Sequence, residues 1–132
     1  MQQLAIEPVI QRSTGDCGIC CVATLTDLSY REVYAQAKKV VANPDEGLCL
    51  TDLKHLVRLC RRRCTYLRQW QPEEQDGILA FVPAKHPRRA GGHWAVLFNG
   101  SLYNPADGLL YRYEAYLASK PQLKPVGLLV VE

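Results

Sequence analysis

The chain has 132 residues, 48% of them hydrophobic, and a formal net charge of +3, so it has room for one core and we expect a single domain over residues 1–132. The charge is too small to indicate nucleic-acid binding, and we find neither a secretory signal pattern nor the ~20 apolar residues of a membrane helix. We therefore expect a cytoplasmic protein with no nucleic-acid partner and no membrane span; the sequence does not indicate an oligomeric state.

The N-terminal part begins with a short extended segment and a polar loop. Pro8 opposes helix formation through residues 2–10, and residues 11–16 are polar. Residues 17–28 are small and apolar and contain no proline, which predicts a buried helix that begins at or just before Cys17. Its possible N-caps are Ser13, Thr14 and Asp16.

Two further helices are predicted before residue 64. Ser29 followed three residues later by Glu32 is a capping-box pattern for a helix over residues 30–41, which residues 43–47 end. A third helix is expected after Thr51, because four apolar residues then share one face: Leu53, Leu56, Val57 and Cys60.

From residue 64 the pattern changes to strands. Six are predicted, over residues 64–70, 77–82, 93–98, 101–104, 109–113 and 125–131, with a short helix over 114–119. Asn99-Gly100 favours a type I′ hairpin turn, which places His93 and Asn104 on neighbouring strands. The predicted fold is α+β, with an N-terminal helical part packed on a C-terminal antiparallel sheet.

Cys17 and His93 have the features of a thiol nucleophile and its base. The helix dipole favours a thiolate at Cys17, and a nearby imidazolium would favour it further. The other nitrogen of His93 needs an orienting partner, which is Asn104 or, alternatively, Asp107. The side-chain amide of Gln11 can reach back over the helix start and form an oxyanion hole with the Cys17 backbone N–H.

The neighbours of these residues receive simpler interpretations. Gly15 and Gly18 are expected to leave room for a substrate backbone near the sulfur. Cys20, Cys21 and Trp94 are expected to be core residues.

The six cysteines lie in the first half of the chain, at positions 17, 20, 21, 49, 60 and 64. Without an export signal they are expected to be thiols rather than disulfides. A zinc site that combines Cys17-x-x-Cys20 with Cys60-x-x-x-Cys64 is disfavoured, because the second pair falls at the end of a predicted helix. We expect no metal and no cofactor.

The sequence has two basic clusters, at residues 61–63 and 85–89. Neither needs nucleic-acid binding to explain its charge. The first lies near a predicted helix C-terminus, where cations complement the dipole. The second is a solvated loop before His93, or else a lid that prefers acidic substrates.

Several motifs resemble the bacteriocin-processing, double-glycine leader peptidases, a papain-like family. QRSTGDCG at 11–18 resembles its Gln and Asp-Cys-Gly signature, and GLCLTDLK at 47–54 its Gly-turn and following helix. HWAVL at 93–97 and NPADG at 104–108 resemble its histidine strand and Asp-Pro-x-x-Gly segment. Two differences stand out: Asn104 replaces the usual Asp, and the segment between His93 and Asn104 is shorter.

The resemblance implies a papain-like cysteine peptidase that hydrolyses a peptide or isopeptide bond of a protein or peptide substrate. Cys17, His93 and Asn104 would form the triad and pass through an acyl-enzyme. The same triad also suits a deamidase or acyltransferase. A catalytically silent module that binds peptides is the remaining alternative.

Overall fold

The structure is a computed structural model that describes residues 9–12, 15–85 and 93–132. Its first half is helical. The elements, in chain order, are α1 (Cys17–Thr26), α2 (Tyr30–Ala37), a 3₁₀ turn (Pro44–Glu46) and α3 (Leu50–Leu59). The predicted extended segment falls mostly on residues 1–8 and the basic loop mostly on residues 86–92, both outside the described residues.

The helix ends differ from the predicted ones for local reasons. The capping box of Ser29 and Glu32 is present at the start of α2. This helix ends at Ala37 rather than at 41, because the amides of Lys39 and Val40 bond three positions back and tighten the chain into a turn. The third helix starts earlier than predicted, since Asp52 accepts the Cys49 backbone N–H at 3.3 Å and makes Cys49 the N-cap.

The second half forms one antiparallel sheet, which confirms the predicted α+β fold. Its strands are β1 (Cys64–Leu67), β2 (Gly77–Pro83), β3 (His93–Phe98), β4 (Ser101–Asn104), β5 (Leu109–Arg112) and β6 (Leu123–Val131), and α4 (Tyr113–Ser119) follows β5. The strand order is β1-β6-β2-β3-β4-β5. All five strand pairs are antiparallel, and the last strand in sequence lies between β1 and β2.

The two faces of the sheet bury separate apolar clusters. On β3, Val96 joins the cluster that α1, α2 and α3 cover, whereas Ala95 and Leu97 join a second cluster with Tyr116 of α4. This alternation is the period-two pattern of a strand that is buried on both faces. It fixes β3 firmly between two apolar layers.

The β3–β4 hairpin has the predicted turn. Asn99 and Gly100 both have positive φ, at 52° and 77°, as a type I′ turn requires. Phe98 then pairs with Ser101, and the two strands run back side by side. The turn therefore brings the start of β3 and the end of β4 to the same end of the sheet.

The first basic cluster has a structural use. It lies just beyond the end of α3, and Arg62 Nη2 donates to the Thr26 carbonyl at 3.0 Å. Because the last carbonyls of a helix lack partners within it, Arg62 stabilises the end of α1 and ties it to the loop after α3. Within the described residues, no helix is both long enough and apolar enough to cross a membrane.

Candidate active site

Cys17 is the first residue of α1, as predicted, and only 8% of it is exposed. Asp16 occupies the N-cap position, but its side chain makes no capping hydrogen bond to the helix. Of the three possible N-caps, Asp16 therefore holds the position without the side-chain bond that usually accompanies it. Its carboxylate faces the loop before the helix instead.

Asp16 organises this loop from a completely buried position. It accepts the Gln11 side-chain amide at 3.1 Å, the Arg12 backbone N–H at 2.9 Å and the Tyr30 hydroxyl at 2.7 Å. A buried carboxylate is stabilised by such donors, and in return it fixes their positions. Sequence reasoning missed this role, although a carboxylate directly before the nucleophile was a visible signal.

The sulfur of Cys17 lies against the start of β3. The backbone N–H groups of Gly18 and of Trp94, the residue that follows His93, are near enough to the sulfur to lower the pKa of its thiol. Burial nevertheless raises the pKa of the Cys17 thiol above its usual 9.0, and the Asp16 charge adds to this, while the two N–H donors lower it less. Burial therefore opposes the thiolate that the position at the helix N-terminus is expected to favour.

His93 is held by Asn104, with Nε2 and Oδ1 only 2.7 Å apart. An amide oxygen only accepts, so Nε2 carries the proton and Nδ1 of the neutral ring has a free lone pair. Asn104 is 3% exposed, which shields this bond from water. Of the two orienting partners left open by the sequence, Asn104 is the one that contacts the ring.

The protonation of His93 reflects both burial and these contacts. Burial lowers its pKa below the usual 6.5, whereas the hydrogen bond with Asn104 and the charge of Asp107 raise it. The charge of Lys120 lowers it slightly further. On balance these effects favour the neutral form of the ring at neutral pH.

Gln11 is joined to the same end of the sheet. Its backbone N–H donates to the Pro105 carbonyl at 3.0 Å, directly after Asn104. The preceding Ile10 lies against Gly108, where an added Cβ would come within 3.1 Å of its side chain. Hydrogen bonds thus connect Gln11 to Asp16, which precedes Cys17, and to Pro105, which follows Asn104.

The glycines beside Cys17 do not serve a substrate. A Cβ on Gly15 would lie 2.0 Å from the Asp45 carbonyl oxygen, so the 3₁₀ turn fills this space. A Cβ on Gly18 would lie 3.3 Å from the Trp94 ring. Trp94 packs on the helical core as predicted, and its indole N–H donates to the Leu48 carbonyl at 3.0 Å.

The remaining thiols are distinct from Cys17. All six cysteines are free, and burial raises the pKa of Cys20 to about 12 and that of Cys21 far above its usual value. Both belong to the packed interior, as expected. In the described ranges, no three His, Cys, Asp or Glu side chains converge in an arrangement that suits a metal ion.

An open cleft of about 390 Å³ borders the loop that carries Gln11. Its lining is cationic and aromatic: Arg12, Tyr30, Arg31 and Tyr34. The Arg12 guanidinium stacks on the Tyr30 ring at 4.2 Å, and Tyr30 stacks on Tyr34. The Tyr30 hydroxyl also donates to Asp16, so a hydrogen bond connects the lining of this cleft to the residue directly before Cys17.

The chain resembles two solved peptidase structures over nearly its full length. One is the peptidase domain of Streptococcus ComA, a bifunctional ABC transporter of a quorum-sensing pathway, with 13% identity, a TM-score of 0.60, and coverage of 92% of this chain and 96% of that one. The other is a double-glycine motif protease from an AMS/PCAT transporter in complex with its leader peptide, with 13% identity, a TM-score of 0.61, and coverage of 96% and 91%. The chain has the fold of these peptidase domains.

These two structures confirm the resemblance to double-glycine leader peptidases that the sequence motifs indicated. No protein-family model matches the sequence, and no curated protein matches it. Both structures are 13% identical to this chain, and at this identity the likeness shows the fold. A function is therefore inferred from the fold together with the four site residues.

Proposed function

We propose that this protein is a cysteine peptidase that hydrolyses a peptide or isopeptide bond through an acyl-enzyme on Cys17. The supporting observation is a single junction at the start of β3. There His93 is held by a buried Asn104 at 2.7 Å, and the backbone N–H of the next residue, Trp94, is near enough to the Cys17 sulfur to lower the pKa of its thiol. This junction offers the three parts that a thiol enzyme needs: a nucleophile, a base and a partner that orients the base.

In the first step Nδ1 of His93 accepts the thiol proton while the sulfur attacks the substrate carbonyl carbon. Burial disfavours a charge on either group alone, since it raises the pKa of Cys17 and lowers that of His93. Proton transfer within the pair changes no net charge, so the burial penalty is largely avoided when the transfer accompanies attack.

The negative charge that develops on the carbonyl oxygen needs donors. The side-chain amide of Gln11 is one of them: its hydrogen bond to Asp16 at 3.1 Å fixes the amide group that would donate to the oxyanion. The backbone N–H of Cys17 is the other donor, because the first amides of a helix have no partner within it.

The intermediate then collapses in the usual order for a thiol enzyme. The C–N bond breaks, His93 returns its proton to the departing amine, and a thioester remains on Cys17. Water attacks this thioester while His93 takes one of its protons, and the products are a carboxylic acid and the free thiol.

The substrate class that fits best is an extended peptide. The double-glycine motif protease of the same fold holds a leader peptide, which supports peptide binding by this architecture. Deamidation or acyl transfer would use the same acyl-enzyme, and the product mass distinguishes them from bond cleavage.

The proposal is tested with a peptide library prepared from a digested proteome. We expect the protein to generate new peptide termini, and an acid quench to trap a thioester on Cys17 that intact-mass measurement detects. Cys17→Ala should abolish both signals. Cys49→Ser is the matched control, because Cys49 is exposed and lies outside the site.

Three outcomes carry different meanings. Cleavage by the natural protein and by Cys49→Ser, but not by Cys17→Ala, supports the peptidase. A mass gain of about one unit without cleavage would identify a deamidase, which shares the acyl intermediate. The absence of both products and thioester would reject thiol catalysis and leave a peptide-binding module.

A further inference from the structure

We propose that the cationic cleft beside the loop before α1 binds a carboxylate side chain of the peptide substrate, and so selects peptides with Asp or Glu near the cleaved bond. This inference rests on the proposed function, because it names the substrate class of the same site. The cleft has a volume of about 390 Å³, within the ~300–1,000 Å³ of typical ligand pockets. Its lining consists of two arginines and two tyrosines: Arg12, Tyr30, Arg31 and Tyr34.

One buried carboxylate, that of Asp16, connects this cleft to the catalytic residues. Its Oδ1 accepts the Gln11 side-chain amide at 3.1 Å. Its Oδ2 accepts the Arg12 backbone N–H at 2.9 Å and the Tyr30 hydroxyl at 2.7 Å. Asp16 directly precedes Cys17, and Gln11 directly precedes Arg12. The cleft therefore adjoins the proposed oxyanion donor, and a peptide whose carbonyl lies at Cys17 needs only a short extension to reach it.

The two tyrosines of the cleft are held by hydrogen bonds. The Tyr30 hydroxyl donates to Asp16, and the Tyr34 hydroxyl donates to Asp45 Oδ2 at 3.0 Å. The two rings also stack, with 5.9 Å between their centroids. Each hydroxyl has a single hydrogen to donate, so neither is available to a ligand carboxylate while these bonds are present. A carboxylate in the cleft must therefore bind the arginines.

Both arginines are exposed at the rim of this aromatic surface. The Arg12 guanidinium lies 4.2 Å from the centre of the Tyr30 ring, a contact that positions it without neutralising its charge. Arg31 follows Tyr30 in the first turn of α2. A guanidinium presents five N–H donors and can bind a carboxylate through two parallel hydrogen bonds. Because the ring already orders Arg12, less side-chain freedom is lost when a carboxylate binds.

The charge of the cleft favours an anion. Of the four lining residues, two are cationic and none is acidic. Lys38 adds a positive charge beside them, with its Nζ 6.0 Å from the centre of the Tyr34 ring. Of the two carboxylates that accept the tyrosine hydroxyls, Asp16 is completely buried, whereas Asp45 is exposed. An acidic side chain is therefore the complementary ligand for this surface.

The competing explanation is that Arg12 only braces the loop before α1 against α2. Such a brace needs the contact between Arg12 and Tyr30, but it does not need Arg31, whose side chain is exposed. Arg31→Gln therefore tests recognition while it leaves the brace in place. Arg58→Gln is the matched control, because it removes the same charge from an exposed position on α3, outside the cleft.

The first measurement is the binding of a fluorescently labelled peptide of six glutamates to the Cys17→Ala protein at physiological salt, with a peptide of six glutamines as the neutral counterpart. We expect the glutamate peptide to bind more tightly. Arg31→Gln should weaken its binding about 3- to 10-fold, as the loss of a partly exposed charge-assisted hydrogen bond does. Arg58→Gln should change it less than about 2-fold, because salt screens distant charges. Equal binding of the two peptides, or equal losses in the two variants, would overturn the inference.

Cleavage of a digested proteome gives a positional readout. Among the peptides that the natural protein cleaves, Asp and Glu should be enriched within about five positions of the new terminus, since an extended chain advances ~3.3 Å per residue. Arg12→Gln combined with Arg31→Gln should remove this enrichment, whereas Arg58→Gln should keep it. Enrichment that persists in the folded double variant contradicts the proposal. If the double variant does not fold, Arg31→Gln alone must still reduce the enrichment, and an unreduced enrichment contradicts the proposal equally.

The failure of this inference and the failure of the proposed function give different results. If no peptide is cleaved but the glutamate peptide binds in a manner that depends on Arg31, the proposed function fails and the site for acidic peptides stands. If cleavage depends on Cys17 but neither binding nor cleavage distinguishes acidic from neutral peptides, only the role of the cleft is rejected.

Discussion

The two central side chains, Cys17 and His93, are each less easily charged than they would be in water. Burial raises the pKa of the thiol above 9.0 and lowers that of the imidazole below 6.5. Both shifts favour a neutral thiol and a neutral imidazole, so in the proposed mechanism the thiolate forms as His93 takes the proton.

This protonation state predicts a wide pH profile of kcat/KM. Activity should fall as the pH decreases through the pKa of His93, below 6.5, because a protonated ring cannot accept the thiol proton. It should fall again only above pH 9.0, where the thiol loses the proton that the leaving amine requires. A decline between pH 7 and 8.5 would instead indicate a resting thiolate–imidazolium pair.

Gln11 is expected to act on the transition state rather than on substrate binding. Gln11→Ala should lower kcat about 10²- to 10³-fold with little change in KM, since the oxyanion forms only during attack. Gln69→Ala, at an exposed position outside the site, is the control. An increase in KM at constant kcat would show that Gln11 contacts the bound substrate instead.

At the scale of elements, the loop before α1 packs closely against the 3₁₀ turn at Gly15. A Cβ at this position would meet the Asp45 carbonyl at 2.0 Å, and backbone cannot yield as a flexible side chain does. Gly15→Ala should therefore lower the free energy of unfolding by about 1–3 kcal/mol, as overpacking does.

Gly18→Ala is the matched comparison for this effect. Its Cβ would meet only side-chain atoms, at 3.3–3.4 Å, and alanine favours a helix over glycine. We expect it to stay within about 1 kcal/mol of the natural protein in urea unfolding. Equal losses in both variants would contradict the backbone clash as the cause.

At the scale of the whole molecule, we expect the sheet to depend on its C-terminal strand, β6. It lies between β1 and β2, and it is the strand that links them. Deletion of residues 123–132 should abolish cooperative unfolding, because β1 loses its partner and the buried Leu128 and Leu129 are removed. Lys124→Ala, at an exposed position on β6, should keep the transition, and a cooperative transition in the truncated chain would refute this dependence.

The sequence by itself determined the local structure and the chemistry that the chain offers. Capping, apolar spacing and the Asn99-Gly100 turn depend on near neighbours, so the helix starts at Cys17 and Tyr30 and the bounds of β3 and β4 followed directly. The same local signals placed His93 and Asn104 across one hairpin, which is the geometric condition for their contact.

Only the tertiary structure decided the strand order, the partner of His93 and the protonation of the pair. The position of β6 between β1 and β2 depends on pairing between distant segments, which no local pattern encodes. The choice between Asn104 and Asp107, and the inward turn of Asp16 towards Gln11, depend on side-chain directions. The pKa directions depend on burial, which exists only once the helices have packed on the sheet.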